Sequence, residues 1–323
     1  MKKLTAIILL LSILFSFVGC KNKKDDKEST EATTKKTTTT QKEVTTKEPK
    51  PVIGEPSTQS SQAGGTFTGR KPLKEVKMTA SDPENTRGLD TTGHGYGFGV
   101  STGAKPHSIS VNNQKIFDSY GAIALDTKTK KKVLYLTFDC GYENGNTAKI
   151  LDVLTEKKVP AAFFVTLPYL KENLGQKMAV RMINEGHIIG NHSTTHPVFP
   201  DISRQKMASE IEMCDNYLRT KFGYTSPYFR FPTGEYSDSS LDLVKSLGYT
   251  SVFWSVAYLD YDTKNQPSSE KAMQTITSRL HPGAVILLHA VSSANASVLG
   301  DVVDWAREQG YTFVPLSDYK STN

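Results

Sequence analysis

The stretch Thr137-Phe138-Asp139-Cys140-Gly141-Tyr142-Glu143-Asn144-Gly145, "TFDCGYENG", follows an apolar run at 133–136. A short run of aliphatic and aromatic residues reads as a buried strand. This one ends in a carboxylate, a thiol and a glycine, residue types that a core strand has no packing reason to collect. Strand ends that carry ionisable groups are where α/β folds place their chemistry. Gly141 and Gly145 allow the backbone to turn sharply beside whatever binds there.

Outward from this stretch the pattern is regular. Strands are expected at 133–138, 161–165, 187–190, 228–231, 251–255, 284–288 and 312–314, and helices between them at 147–157, 171–185, 203–222, 239–247, 270–280 and 296–308. Strands alternating with helices imply a parallel sheet with right-handed crossovers. Seven such units favour an α/β fold of the distorted (β/α) barrel type, with about seven strands, over an open sheet.

Four segments follow. Residues 131–323 form the expected catalytic domain, and residues 66–130, with "HGYGFGVSTGAKPH" and "DTKTKKK", read as a loop-rich lead-in packed on the barrel. Tyr96 and Phe98 are its candidates for core or stacking roles. Residues 21–65 are Lys, Thr, Glu, Pro and Ser with hardly a large apolar side chain, so they read as a disordered tether. Residues 1–20 have the pattern of an export signal: Lys2 and Lys3, an apolar core over 4–18, then Gly19 and Cys20. The stretch Phe17-Val18-Gly19-Cys20 resembles a bacterial lipobox. It implies a lipid on Cys20 and a protein held on the outer face of the cytoplasmic membrane. Cys140 and Cys214 then remain, and no bridge between them is expected.

The net charge of +6 is spread among threonines and acids. No basic stripe interleaved with aromatics points to nucleic acid. The polar residues have a more telling distribution. The first strand runs into Asp139, the third into Asn191 and His192, the fourth contains Arg230, the fifth leads toward Asp260 and the sixth ends at His289. In a βα barrel these ends share one rim. In "NHSTTHP" the four-residue spacing of His192 and His196 lets both imidazoles reach one divalent metal. A lone pair of this kind is often structural, but Asp139 adds an acid at the same rim. A zinc peptidase of the HExxH type is excluded, because Ser193 stands where the glutamate is required.

The motifs "TFDCG", "HSTTHP", "RFPTGEYS", "WSVAYLDY" and "ILLH", in this order over about 131–317, resemble the polysaccharide deacetylase family of carbohydrate esterases. More narrowly, "TFDCGYENG", "EGHIIGNHS" and "VFWSVAYLDY" are similar to the delta-lactam-biosynthetic de-N-acetylases of spore-forming bacteria, which act on muramic acid in spore cortex peptidoglycan. The resemblance implies amide hydrolysis with a divalent metal, Zn2+ for preference, on His192 and His196. It implies Asp139 as general base, Arg230 as the partner that orients it, the backbone N–H of Thr233 as oxyanion donor, and His289 as general acid with Asp260 raising its pKa. The family more often has Tyr at the Thr233 position and a second, metal-binding Asp at the Cys140 position. The narrower subgroup typically lacks that Asp, which leaves Cys140 as either a thiolate ligand or a buried neutral thiol.

Ile286 and Leu288 share a strand face and are candidates for the acetyl-methyl pocket. Glu143 and Asn144 are candidates for contacts to the muramic lactyl group, and Trp254 for sugar stacking or core. His107, His187 and His281 read as structural or exposed. The expected partner is a peptide-stripped peptidoglycan strand, met by a membrane-tethered monomer. Two other readings stay open: a deacetylase of N-acetylglucosamine in peptidoglycan or chitin-type oligomers, and a glycan-binding lipoprotein without turnover.

Overall fold

The computed structural model describes residues 72–319. The expected signal at 1–20, Cys20, the tether at 21–65 and the first residues of the lead-in lie outside them. Seven short strands form one parallel sheet: β1 Val133–Cys140, β2 Ala162–Val165, β3 Ile188–Asn191, β4 Tyr228–Phe229, β5 Thr250–Ser251, β6 Ala284–His289 and β7 Thr312–Phe313. Their order is β5-β4-β3-β2-β1-β6, with β7 paired to the start of β1. The result is the expected distorted barrel, with an irregular seam between β5 and β6.

That seam explains why the fifth strand is shorter than its sequence suggests. After Ser251 the chain changes partner. Val252 N–H still donates to Phe229 O at 2.8 Å, Phe253 N–H to Ile123 O at 2.6 Å, and Ser255 N–H to Val285 O at 2.9 Å. Isolated bridges pair Ile123 with Val252, Leu125 with Ala284 and Val256 with Ile286. Lead-in residues 122–126 thus fill the seam beside Val252 and the start of β6, and 255–256 reach β6 directly further along. The fourth strand also stops early, at Phe229, although Arg230 N–H still donates to Asn191 O at 3.0 Å. Pro232, which has no N–H, follows Phe231 and turns the chain away.

The lead-in is less loop-like than expected. It contains α1 Ser108–Asp118, whose Gln114 is buried and stitches the seam segment: its Nε2 donates to Ala122 O, and its Oε1 accepts from the N–H groups of Ala124 and Leu125. Met78, Ala80 and Phe117 join Phe229, Phe231 and Phe253 in one apolar cluster. His107 caps α1.

The outer helices are α2 Thr147–Lys157, α3 Leu167–Lys171, α4 Asn173–Asn184, α5 Arg204–Tyr217, α6 Asp238–Ser246, α7 Ser269–Arg279 and α8 Ser293–Glu308. The helix expected at 171–185 begins instead at Asn173, after an extended Glu172 that separates it from α3. A side chain at Gly175 would put its Cβ 2.0 Å from Tyr169 O, so the glycine lets the two helices pack closely. In α2, Ile150, Leu151 and Leu154 fall on one face at helical spacing and are buried against the sheet.

Candidate active site

Period-two alternation in β1 assigns its chemistry. Leu134, Leu136, Phe138 and Cys140 point outward into the core beneath the helices. Tyr135 points inward, and so, by the same alternation, do Thr137 and Asp139. Cys140 is fully buried, and burial pushes its thiol pKa well up. A neutral thiol in an apolar core is therefore the reading the structure supports, against thiolate ligation. Cys140 and Cys214 are both free.

Arg230 is the largest fully buried side chain. Its Nη1 donates to Asp139 Oδ1 at 2.8 Å, Nη2 to Thr137 Oγ1 at 2.9 Å and Nε to Val252 O at 2.9 Å. The guanidinium lies 4.1 Å over the Phe164 ring. Phe164 fits there because the facing residue is Gly190, where a Cβ would come within 2.5 Å of the ring. Burial pushes the Asp139 pKa up, but the charge of Arg230 and its hydrogen bond outweigh it and hold the carboxyl below its usual range.

His192 follows β3 on the same inner face. Its Nδ1 lies 2.8 Å from Arg230 O. A carbonyl only accepts, so Nδ1 carries the proton and Nε2 keeps its lone pair. That Nε2 sits 3.6 Å from Asp139 Oδ2. Burial lowers the His192 pKa to about 4, so at neutral pH two electron-rich atoms face each other. The His196 ring centroid is 4.9 Å away, and burial lowers its pKa too. Among the described residues no group of three His, Cys, Asp or Glu side chains forms a ready-made metal cage. Two neutral imidazoles beside a carboxylate nevertheless fit a divalent cation, which would relieve that repulsion.

The loop carrying the histidines is held tightly. Ser193 and His196 have φ of 72° and 57°, and Ser193 Oγ accepts from His196 N–H at 3.0 Å. From behind, buried Glu210 on α5 accepts from the N–H groups of Thr194 and Thr195 at 3.1 and 2.7 Å. It also accepts from the Thr195 hydroxyl at 3.0 Å.

His289 ends β6 facing inward. Its Nδ1 is 2.6 Å from Asp260 Oδ1, and its backbone N–H donates to Asp260 Oδ2 at 2.8 Å. Burial pulls its pKa down, but the bond to Asp260 and that residue's charge raise it overall. Asn295 Nδ2 donates to Asp260 Oδ2 at 2.6 Å, and Tyr258 OH to Asn295 Oδ1 at 2.6 Å.

These groups open onto one cavity of about 880 Å³ whose lining includes Asp139, His192, His196, Thr233 and His289. Thr233 has φ 59° and ψ −6°, a strained setting for a β-branched residue. Its N–H finds no acceptor among the described residues, as an oxyanion donor requires. Trp254 lines the cavity and also packs edge-on against Tyr96, whose hydroxyl donates to Trp254 O at 2.6 Å. Phe98 lines the cavity as well. His187 and His281 are buried away from it.

Four expectations need correction. Ile286 and Leu288 face outward into the helix-side core, so the acetyl wall on β6 is Leu287. Counting back by two from His289 gives Leu287 directly. Glu143 and Asn144 do not line the cavity. Glu143 Oε1 accepts from the N–H groups of Asn144 and Gly145, and Asn144 Nδ2 donates to Val291 O. Gly141 and Tyr142 face the cavity from that loop. Sequence reasoning also passed over Glu210, Tyr258, Asn295 and Arg279. A buried acid or amide on a helix carries the same sequence signal as an exposed one.

Known proteins resemble this chain. A family model for polysaccharide deacetylase matches residues 126–252. The Bacillus subtilis peptidoglycan-N-acetylmuramic acid deacetylase PdaA is 38% identical over 224 residues, covering 69% of this chain and 84% of that protein. An uncharacterised 30.6 kDa protein of Geobacillus stearothermophilus is 40% identical over 224 residues, covering 69% and 83%. The solved structure of Bacillus subtilis PdaA, described as a family 4 carbohydrate esterase, aligns at a TM-score of 0.67 with 38% identity, over 71% of this chain and 97% of that one. With these inward-facing residues gathered on one rim, the chain belongs to the polysaccharide deacetylase family.

Proposed function

We propose that the chain hydrolyses the acetamido group of N-acetylmuramic acid in peptidoglycan. The observation that carries this reading is the convergence of Asp139–Arg230, the His192/His196 pair and His289–Asp260 on one cavity, in a chain 38% identical to a muramic acid deacetylase. A divalent cation, zinc on this reading, would be held by His192 and His196 and would supply Lewis acidity to the hydrolysis. Asp139, kept ionised by Arg230, takes the proton of that water. The Thr233 N–H stabilises the tetrahedral oxyanion. His289, protonated through its contact with Asp260, gives its proton to the departing nitrogen. Leu287 bounds the space for the acetyl methyl.

The biological setting belongs to the same proposal. The lipobox-like Cys20 tethers the protein outside the cytoplasmic membrane, and its product feeds muramic δ-lactam formation in spore cortex. The decisive experiment follows acetate release from peptide-stripped glycan strands with metal added. Acetate from the wild type and none from Asp139→Ala is the expected result. No acetate, or full activity in Asp139→Ala, sinks the reading, and saturable binding without turnover would favour a glycan-binding lipoprotein.

A further inference from the structure

Once its peptide is removed, muramic acid presents a lactyl carboxylate on the ring next to the acetamido group. An anion entering a half-enclosed cavity must find a cation or hydrogen-bond donors there. Glu143 cannot serve, being of like charge and committed to its own loop. Arg230 also cannot, because Asp139 and backbone carbonyls occupy it.

Among the described residues lining the cavity, Arg279 is the sole lysine or arginine. It is the last residue of α7 and is half-buried. Arg87, Arg181, Arg204, Arg219 and Arg230 each meet a carboxylate, whereas Arg279 meets none among the described residues. Its one hydrogen bond runs from Nη1 to Ala257 O. That bond fixes the guanidinium and leaves four of its five N–H groups without a partner among the described residues. Ala257, Tyr258, Leu259 and Tyr261 line the cavity beside it. Such a planar fork, half-buried and lacking a counter-ion among the described residues, suits a carboxylate. Burial lowers its pKa, and no anion among the described residues offsets this.

We propose that Arg279 forms an anion subsite that binds the lactyl carboxylate of muramic acid, an inference resting on the function proposed above. It is a specificity residue, distinct from the groups that act on the acetyl.

The test compares three glycans: peptide-stripped strands with free lactyl carboxylate, the same strands methyl-esterified, and N-acetylglucosamine oligomers, which lack the lactyl group. For the wild type, esterification is expected to raise the dissociation constant measured by calorimetry at least tenfold. In Arg279→Gln the ratio of kcat/KM for free-carboxylate strands over N-acetylglucosamine oligomers is expected to fall about tenfold, and Arg279→Lys should recover part of it. Equal losses on both substrates, or wild-type binding indifferent to esterification, overturn the subsite. Binding is read without turnover. A protein that discriminates the ester but releases no acetate therefore keeps the subsite while losing the proposed reaction.

Discussion

Asp260 holds His289 at two points, one carboxylate oxygen 2.6 Å from Nδ1 and the other accepting the backbone N–H at 2.8 Å. The imidazole is thereby aimed and its charged form favoured. Because the His289 pKa is raised from its ordinary value, the acid form persists to higher pH than in a free imidazole and is lost as pH rises through the raised value. In Asp260→Asn the charge disappears while burial remains, so the alkaline limb of the pH profile of kcat should move down. Activity at pH 8 should fall by about 10²-fold. An unmoved alkaline limb would remove His289 from the role of acid.

Glu210 carries no reacting group, yet it fastens the loop between the two histidines through two amides and a hydroxyl. Glu210→Ala should weaken divalent-metal binding by about 10–100-fold. Competition against a chromophoric chelator checks this without reference to turnover.

Adjacent leucines on β6 should behave oppositely. Leu288 is 1% exposed in the helix-side core, so Leu288→Ala should cost about 2–5 kcal/mol in denaturant unfolding while the folded fraction keeps its kcat/KM. Leu287→Trp enters the cavity and should raise KM or abolish turnover. Identical phenotypes for the two would contradict the inward assignment of Leu287.

His187 offers a separate pH effect. Its Nδ1 accepts from Ala161 N–H at 3.3 Å, its Nε2 is buried without a partner, and burial lowers its pKa to about 4. The unfolded chain binds a proton near 6.5, so the full stability present above 6.5 is lost as pH falls toward 4. The loss from this group reaches about 3 kcal/mol. His187→Phe should flatten the fall in stability between pH 7 and 4.5, followed by urea midpoints.

The barrel and the polar ends of its strands were legible because both follow from local pattern: alternation of strand and helix, and ionisable residues where an apolar run stops. Asp139, His192 and His289 all line the cavity for that reason, and Arg230 meets Asp139 behind it. Side-chain direction was less legible. Pairing Ile286 with Leu288 as the acetyl wall overlooked their parity with His289, which makes Leu287 the inward residue. Helix α1 was missed because its only buried residues are Ser110, Gln114 and Phe117, too polar a set to show an apolar stripe. Glu210 and Arg279 depend on tertiary neighbours far along the chain, which no single-segment pattern encodes.

The stitched seam has a practical corollary for anyone trimming the gene. Ile123 and Asp126 donate to Ser251 and Gly283, and Gln114 satisfies the backbone between them. A shortened product starting at Lys131 would leave those acceptors bare and uncover Phe229, Phe231 and Phe253 to water. The smallest autonomous fragment should therefore begin ahead of Met78, well upstream of the first recognisable motif.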